Sequence, residues 1–472
     1  MILTVAVLFT LIALLVAEEN WRGKRAWETH KRELEAKGER FDLASFMPKP
    51  VPDDQNFVMT PFFAPLLERE RRMAAGNRNE TNVQQTALDV YGGAGHGGTL
   101  SLGGLGKGKL TDLQEWQKFY RANTNFPAAP QPQGPGKDVL SALVKFGPAL
   151  NELREARRRP YAAFPLYQDK DPTLPVLHLG DLKSIALVLR LRAVAFLADG
   201  QSHEALEDLK VSFRLADCLR PEPFLISHLV RLAALEASVS SVWEGLARHR
   251  WSEAELVELQ QLLGSIDLLT DYAHVLRGER AFSNSMMAGM RRGKRGLLSL
   301  APAGLLFQNQ VCISRVYQLR ALPLIDAGQH RVYPEQSNQL TNAPEIRKTT
   351  PYNVLARMLL PAIAKSTVNT ARAQAILDQA IVACAAERFR IANGQYPERL
   401  QALVPSFIER IPTDVIGGNP LEYRRSDDGQ FVLYSLGWNQ KDDGGRTELK
   451  QGTTPREAIE QGDWVWSYPP GK

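Results

Sequence analysis

Histidines are the side chains of this sequence best suited to bind a metal ion or to act as general bases, and there are 8 of them. They never occur as His-x-x-x-His or His-Glu-x-x-His, the spacing that puts two imidazoles on one helix face in zinc sites. His228 and His274 fall inside predicted helices with Glu236 and Glu279 nearby, which leaves a buried acid/base pair open. A Gly-x-Ser-x-Gly elbow and a Walker-type loop are also missing. The sequence therefore predicts no catalytic residue.

A glycine-rich stretch contains Gly93-x-Gly95-x-x-Gly98, which formally matches the dinucleotide-binding pattern. That pattern needs a buried strand before it and a helix after it, because the phosphates lie on the helix N-terminus. Here a polar segment precedes the glycines, and residues 99–104 cannot begin a helix. We therefore expect a flexible surface excursion and no bound nucleotide cofactor.

Two basic clusters, residues 154–159 and residues 291–295, could attract phosphate groups. The first closes a predicted helix, where cations complement the helix dipole. The second has no aromatic residue beside it on which a base could stack. The net charge of +5 is small for 472 residues. We therefore expect the first cluster to complement the helix dipole and the second to be a solvated loop, and we predict no nucleic-acid partner.

The overall composition is that of an ordinary folded protein, with 44% hydrophobic and 23% charged residues. This length allows two or three domains with well-buried cores. The three cysteines, Cys218, Cys312 and Cys384, are isolated from one another and lie inside predicted helices. They are predicted to be small buried side chains and neither a disulfide framework nor a metal site.

The N-terminal segment, residues 2–17, is almost entirely apolar and is followed by Trp21 and Trp27. As a helix it would extend about 24 Å, at the lower limit for crossing a bilayer. We expect a transmembrane anchor or uncleaved signal, giving a single-pass protein of the inner (cytoplasmic) membrane. Basic residues after the segment would keep the body in the cytoplasm, whereas the missing charged region before it favours an extracytoplasmic body, which is the orientation we predict.

Between residues 137 and 369 the sequence is dominated by helical periodicity. The turn Asp199-Gly200-Gln201-Ser202 joins two apolar helices, and a Ser252/Glu255 capping box begins a later one. Gly200 followed by Ala205 is similar to a tetratricopeptide-type hairpin, so we expect a TPR-like, α-solenoid-like domain that binds a protein partner. The predicted regions are 1–17, anchor; 18–68, juxtamembrane helix and proline-rich strap; 69–136, Gly/Pro-rich flexible region; 137–369, helical domain; and 370–472, α+β domain.

The last hundred residues carry the most specific local signals. A long amphipathic helix is stopped by Asn393-Gly394, because glycine adopts the left-handed conformation that ends helices. Short extended runs at residues 421–425 and 431–436 flank Ser426-Asp427-Asp428-Gly429, which is hairpin turn chemistry. We therefore predict one helix packed on a small antiparallel sheet, so that the whole chain is mainly α with a small α+β C-terminal domain.

At these positions the chain resembles the globular domain of the major pseudopilin of type II secretion. The matching residues are the Asn-Gly-x-Tyr-Pro helix end, a Pro-x-Asp and Gly-Asn-Pro segment, and Tyr434-Ser435-Leu436-Gly437 before an Asp/Gly loop. The resemblance implies a calcium ion in that loop, since oxygen ligands suit a hard cation. The residues that would hold it are Asn439, Asp442, Asp443 and Asp463. A solvated turn is the alternative for the same residues.

The chain also departs from a pilin subunit. The helix before the sheet carries Lys365, Arg372 and Asp378, so it cannot lie in lipid as a pilin stalk does. We therefore expect a pseudopilin-like fold reused at the end of a membrane-anchored bacterial envelope protein. The predicted function is a non-enzymatic interaction or scaffold protein, associated with a secretion or pilus-like machine. The alternative is an enzyme whose cleft lies between the helical domain and the N-terminal strap.

Overall fold

The computed structural model describes residues 2–76, 100, 102–167, 171, 174, 176–292, 302–337, 340, 346–446 and 459–469. The predicted glycine pattern and residues 293–295 of the second basic cluster lie outside this part. The chain is mainly helical, with helices over 63% of its residues, a small antiparallel sheet near the C-terminus and an apolar helix at the N-terminus. These are the elements expected from the sequence.

The helices of the described part are α1 (Ile2–Glu35), α2 (Ala64–Ala74), α3 (Leu113–Ala122), α4 (Pro135–Leu143), α5 (Gly147–Ala156), α6 (His178–Ala198), α7 (Ser202–Cys218), α8 (Leu225–Ala247), α9 (Glu253–Gly264), α10 (Leu268–Arg291), α11 (Ala303–Val316) and α12 (Val354–Asn393). The strands are β1 (Ile325–Asp326), β2 (Arg331–Val332), β3 (Glu422–Arg425), β4 (Phe431–Ser435) and β5 (Trp464–Trp466). Strand β1 pairs with β2, and β3, β4 and β5 form an antiparallel sheet in that order.

Helices α6 to α9 form the centre of the helical part. Gly200, with a φ of 80°, makes the turn through which α6 and α7 pack on each other, because a positive φ costs glycine little. Ser252 and Glu255 form the predicted capping box at the start of α9. Helix α8 packs on α6, α7 and α12, and so lies at the middle of the molecule. The likeness of these pairs to tetratricopeptide repeats stays a prediction.

Helix α12 joins the two parts that the sequence separates. It runs without interruption from Val354 to Asn393 and ends at Gly394 (φ 79°), the predicted stop. The predicted domain boundary between residues 369 and 370 therefore falls inside a continuous helix. The C-terminal half of α12 carries four fully buried alanines, Ala380, Ala383, Ala385 and Ala386. These small side chains allow α8 and the sheet to approach α12 closely.

The sheet and the helices share one hydrophobic core. Phe431, Leu433 and Trp466 on the inner face of the sheet belong to the same buried cluster as Trp243 of α8 and Leu377 of α12. The indole of Trp243 donates a hydrogen bond to the carbonyl of Ser467, 2.9 Å away. The described residues of this region, 370–446 and 459–469, therefore pack onto the helical part.

The N-terminal helix α1 has two halves with different surroundings. The first half is apolar and fully exposed, whereas Trp27 and Leu34 in the second half pack against α11. The crossing is made by Gly23 and Gly304, since a Cβ atom on Gly23 would lie 2.5 Å from the carbonyl oxygen of Gly304. Asn20 Oδ1 accepts the backbone N–H of Gly304 at 2.7 Å. The apolar half is thus held in a fixed relation to the body.

Candidate functional site

A large cavity lies over α8, between α6 and α12. Its volume is about 890 Å³, within the range of roughly 300 to 1,000 Å³ typical of ligand sites. Each of the three helices turns one stripe of residues toward it, and a loop near residue 104 covers one end. The lining residues are Leu100, Leu102, Gly103, Gly106, Lys107, Lys183, Ala186, Leu187, Arg190, Leu229, Leu232, Ala233, Ala234, Leu235, Glu236, Ala237, Val239, Ser240, Ala362, Lys365, Ser366, Asn369, Arg372, Ala373, Ile376, Leu377 and Ile459.

The walls of this cavity are aliphatic. The lining residues that the structure describes include aliphatic side chains from all three helices and no aromatic ring. On α8 the apolar residues recur at Leu229, Leu232 and Val239, the spacing of one helix face. Alanines such as Ala233 and Ala373 leave room where a longer side chain would fill the space. The cavity is therefore a space with apolar walls.

The charged groups of the lining are mostly cations. Lys183 and Arg190 come from α6, Lys365 and Arg372 from α12, and Lys107 from the covering loop. Among the described residues of the lining the one carboxylate is Glu236, which lies 3.5 Å from the guanidinium of Arg372 and is half exposed. Five cations against one carboxylate make the cavity electropositive, and cations with apolar walls attract anions more strongly than they would in open water.

The covering loop is held in place by a buried carboxylate. Glu244 of α8 accepts hydrogen bonds from the backbone N–H and the hydroxyl of Thr111, at 3.1 and 2.5 Å. Burial raises the pKa of Glu244, while the bonds from Thr111 oppose that change. Gly104 has a φ of 107°, and a Cβ atom there would meet Arg190 at 2.4 Å and Ser240 at 2.9 Å. Only glycine lets the loop approach α6 and α8 this closely.

A buried acid/base cluster lies elsewhere, around His178. Glu70 of α2 contacts its Nδ1 and Glu222 contacts its Nε2, each at 2.7 Å. Phe164 stacks on the ring at 4.1 Å, and Ser227 donates to Glu222 at 2.5 Å. Burial disfavours the charged ring, but the two carboxylates outweigh it and raise the pKa of His178 to about 10. The imidazolium is fully buried, so its role is to hold α2 onto the helical part.

This cluster could not be found from the sequence, because His178 is far along the chain from Glu70 and Glu222 and belongs to no motif. The acid/base pair that the sequence leaves open is not formed by His228. Its Nε2 lies 3.0 Å from the hydroxyl of Thr370, and burial lowers its pKa to about 3. Such a histidine is a neutral core residue.

The neighbouring carboxylate Glu279 has a structural partner. Its Oε1 accepts the backbone N–H of Leu225 at 2.6 Å, which satisfies an orphan donor at the start of α8. Burial raises the pKa of Glu279 to about 7. The ring of His274 lies 5.8 Å from that of Phe46. The described contacts of Glu279 and His274 thus belong to helix capping and packing.

The strap of the predicted cleft is packed closely onto the helical part. Phe57 and Phe63 are fully buried, and Asn56 bonds across to the backbone of Ala163. These contacts make the strap part of the packed body, and the enzyme cleft predicted between the strap and the helices stays a prediction.

The loop for which calcium is expected brings its four residues together. Asn439 donates to Asp443 at 3.0 Å, and Asp463 accepts the N–H groups of Asp443 and Gly445 at 3.1 and 2.7 Å. Asp442 accepts from the N–H of Gly444 at 2.8 Å. No group of three or more His, Cys, Asp or Glu in the described ranges could hold a metal ion. The carboxylates accept backbone N–H groups in this structure, and calcium binding by these four residues stays a prediction.

If these residues bind calcium, the thermal midpoint of the protein is expected to be higher in calcium than in excess chelator, and an unchanged midpoint would contradict the predicted site. A bound ion stabilises the folded state by mass action, so the comparison is direct. The matched variant combines Asp442→Ala with Asp443→Ala. A midpoint that rises with calcium in the wild type but not in this variant would establish the metal site that the pseudopilin resemblance implies.

Near the base of the apolar helix the body exposes further apolar surface. Trp21 is 63% and Met358 71% exposed, and Val354 lies one turn before Met358. The hydroxyl of Tyr352 accepts a hydrogen bond from Arg22 at 3.1 Å, which places α12 beside this base. Aromatic and cationic side chains at the end of an apolar helix are typical of a membrane–water interface.

The length and composition of α1 make it a candidate membrane span. Helix α8 meets the same criterion, but 72% of its apolar window is buried inside the protein, so it is a core helix. Comparison with family models, with curated proteins and with solved structures finds no match for this chain.

Proposed function

We propose that this chain is a membrane-anchored, non-enzymatic interaction protein of the bacterial envelope, and that the cavity over α8 is its binding site. Helix α1 anchors the chain in the cytoplasmic membrane, and the body lies outside the cytoplasm. The observation that carries the proposal is the cavity itself, an aliphatic space of about 890 Å³ with a cationic rim. A concave apolar site with a few polar groups is the usual form of a binding site.

Two features favour binding over catalysis at this cavity. General acid/base catalysis needs a titrating group within hydrogen-bond reach of the substrate, but the lining carboxylate, Glu236, is already beside Arg372. Two histidines with strongly changed pKa, His178 and His228, are buried and held by Glu222 and Thr370. The cavity therefore offers a binding surface of aliphatic side chains and cations.

Membrane anchoring is supported by the two halves of α1. The apolar half is exposed along its whole length, and the polar half is fixed to α11 through Gly23 and Gly304. Exposing a surface of this size to water would be unfavourable for a monomeric protein. Because the helix is continuous, the body is held close to the bilayer and its exposed Trp21 and Met358 face the same region.

Association with a secretion or pilus-like machine rests on the pseudopilin resemblance of residues 370–472. Its support is the order of elements, with a helix ending at Gly394, the β3–β4 hairpin and the Asp/Gly loop at residues 442–445. In this chain the helix is buried in the body and cannot serve as a filament stalk. We therefore assign the domain a scaffold role, with a protein partner held by the helical part.

Site-specific photo-crosslinking in cells tests this function. Benzoylphenylalanine replaces Leu187 or Leu229, two half-buried residues of the lining, and Lys137 of α4 as an exposed control. We expect adducts of defined mass from membrane fractions at the two cavity positions and none at Lys137. Adducts at Lys137 alone, or none at any position, would contradict a binding role for the cavity.

A reporter fused after the last residue tests the orientation in the same strains. A reporter active only outside the cytoplasm is expected to give signal from the full-length fusion and none when residues 2–17 are deleted. Signal from neither fusion, with the full-length protein still in the membrane, would put the body in the cytoplasm and remove the link to secretion.

A further inference from the structure

The cations of the cavity form two matched pairs. Lys183 and Arg190 on α6 are seven residues apart, as are Lys365 and Arg372 on α12. Seven residues are two helical turns, or about 10.5 Å. Helices α6 and α12 form the two walls of the cavity, and each wall therefore carries one cation at each end. The apolar stripe of α8 forms the floor between them.

The three helices run in the same direction. His228 of α8 contacts Thr370 of α12, and further along both helices His249 contacts Glu387. On the other side, His178 at the start of α6 contacts Glu222 just before α8. Parallel walls bring Lys183 and Lys365 to one end of the cavity.

The two arginines occupy the opposite end. Arg190 donates to the carbonyl of Gly103 in the covering loop, and Gly106 of the same loop lies beside Glu236 and Arg372. The covering loop and the arginines thus lie together. The lysines lie at the end away from this loop.

The lysine end is the one available to an anionic group. Lys183 and Lys365 are exposed and form no ion pair within the part of the chain that the structure describes. Arg372, by comparison, lies within ion-pair distance of Glu236. An anionic group bound at this end would contact the ammonium groups of Lys183 and Lys365, and the apolar part of the cavity would lie next to it.

The side chains of the cavity walls indicate the chemistry of the part of the ligand that is not anionic. Sites for bases and many ring-shaped ligands use aromatic side chains on which the ligand stacks, and the described lining has none. Leucine, isoleucine, valine and alanine offer dispersion contacts without stacking or hydrogen bonds. Such walls suit a flexible alkyl chain, and alanines at positions 233, 237 and 373 leave space for one along α8.

We propose that the cavity binds a single-chain anionic amphiphile, with its carboxylate or phosphate at Lys183 and Lys365 and its alkyl chain along α8. This rests on the cavity being the binding site assigned above, and goes beyond it by naming the chemical class of the ligand. A fatty acid and a lysophospholipid share the required chemistry. The anchor keeps the cavity near the bilayer, where both are found.

The experiment uses the full chain in nanodiscs of zwitterionic lipid, because free detergent would compete for the cavity. A palmitic acid probe with a photoreactive diazirine on its alkyl chain is crosslinked, and labelled peptides are mapped by mass spectrometry. We expect label on the cavity-facing peptides of α6, α8 and α12. Unlabelled palmitate and lysophosphatidylglycerol are each added as competitors of the probe, and the stronger competitor shows whether a carboxylate or a phosphate is preferred. Neutral monopalmitin is expected to compete weakly.

Charge reversal provides the first variant. Lys183→Glu combined with Lys365→Glu is expected to reduce cavity labelling by about tenfold, the size expected for losing two exposed ion pairs. The matched control combines Lys49→Glu with Lys137→Glu, which makes the same charge change at exposed positions outside the lining. This control is expected to retain wild-type labelling.

Ala233→Trp provides the second variant, since it fills the cavity from α8. It is expected to abolish the label, and an unchanged far-UV circular dichroism spectrum and thermal midpoint show that it is folded. Should this variant misfold, the charge-reversal pair alone decides the outcome, because its residues are exposed.

Three results would overturn the proposal: equal competition by monopalmitin, unchanged labelling in the charge-reversal variant, or label confined to α1. Failure of the proposed ligand class can be distinguished from failure of the proposed binding function. If benzoylphenylalanine at Leu187 captures a protein while the acyl probe leaves the cavity unlabelled, the ligand class is wrong and the binding function stands. If neither reagent labels the cavity, both are wrong.

Discussion

Gly23→Ala is expected to release the polar half of α1 from the body. The added Cβ would lie 2.5 Å from the carbonyl oxygen and 2.7 Å from the Cα of Gly304, both backbone atoms that cannot move aside. Overpacking of this kind costs about 1–3 kcal/mol, so we expect tryptic cleavage between residues 22 and 37 to accelerate roughly ten- to a hundredfold. The measurement is limited proteolysis of the full chain in nanodiscs, followed by mass spectrometry.

Gly289→Ala is the matched control for this change. It also replaces a glycine in a helix, but its Cβ would meet nothing within 4 Å. Alanine has the higher helix propensity by roughly 1 kcal/mol, so Gly289→Ala should be neutral or stabilising. If both variants leave cleavage after Arg22, Lys24 and Arg25 unchanged, the close crossing of α1 and α11 does not hold the anchor to the body.

Elements with a local signal could be predicted from the sequence. Ser252 and Glu255 are three residues apart, and their reciprocal hydrogen bonds follow from that spacing. The turn at Gly429, whose N–H donates to the carbonyl of Ser426 at 3.0 Å, pairs β3 with β4 as expected. The stop at Gly394 is of the same kind, since it depends only on the conformational freedom of glycine.

The continuity of α12 could not be predicted. Pro361 lies inside the helix, and proline normally breaks or ends one because it lacks an N–H donor. The helix starts at Val354 without a side-chain cap, so the sequence contains no signal for its start. Packing of Leu360 and Ile363 in the core around α11 stabilises the first half of α12. Tertiary contacts thus decide an element that local sequence leaves undefined.

The cavity is a further feature that depends on contacts distant in sequence. Its walls come from α6, α8 and α12 and its cover from a loop around residue 104, and on each helix the lining residues have an ordinary core-or-surface pattern. Lys183 and Lys365, which lie at the same end of the cavity, are far apart in the sequence. No short motif marks such a site, because its chemistry arises only when parallel helices bring their cations to one end.

Helix α12 ties the binding site to the C-terminal sheet. Arg372 and Ile376 line the cavity, whereas Gln379, one turn further on, donates to the carbonyl of Trp464 in β5 at 2.6 Å. One continuous helix therefore contacts both the cavity and the sheet. A ligand that displaced α12 would also change the contact between Gln379 and β5.

Glu222→Ala is expected to be the most destabilising single change. Glu222 is fully buried and contacts both His178 Nε2 and the hydroxyl of Ser227. Removing one partner of a buried ion pair costs about 3–5 kcal/mol, because the remaining charge is left uncompensated. The thermal midpoint should fall by several degrees, measured by circular dichroism. Glu398→Ala, which removes a carboxylate that is 79% exposed, is the control and should change it little.

The pH dependence of stability distinguishes the charged cluster from simple packing. The pKa of His178 is raised to about 10 in the folded state, against about 6.5 for an unperturbed histidine. The folded protein therefore binds the extra proton, and the stabilisation is complete below the unfolded pKa and lost as pH rises toward 10. Between these values wild type should lose about 1.4 kcal/mol per pH unit relative to His178→Gln. Parallel stability profiles for the two proteins would show that His178 is neutral when folded.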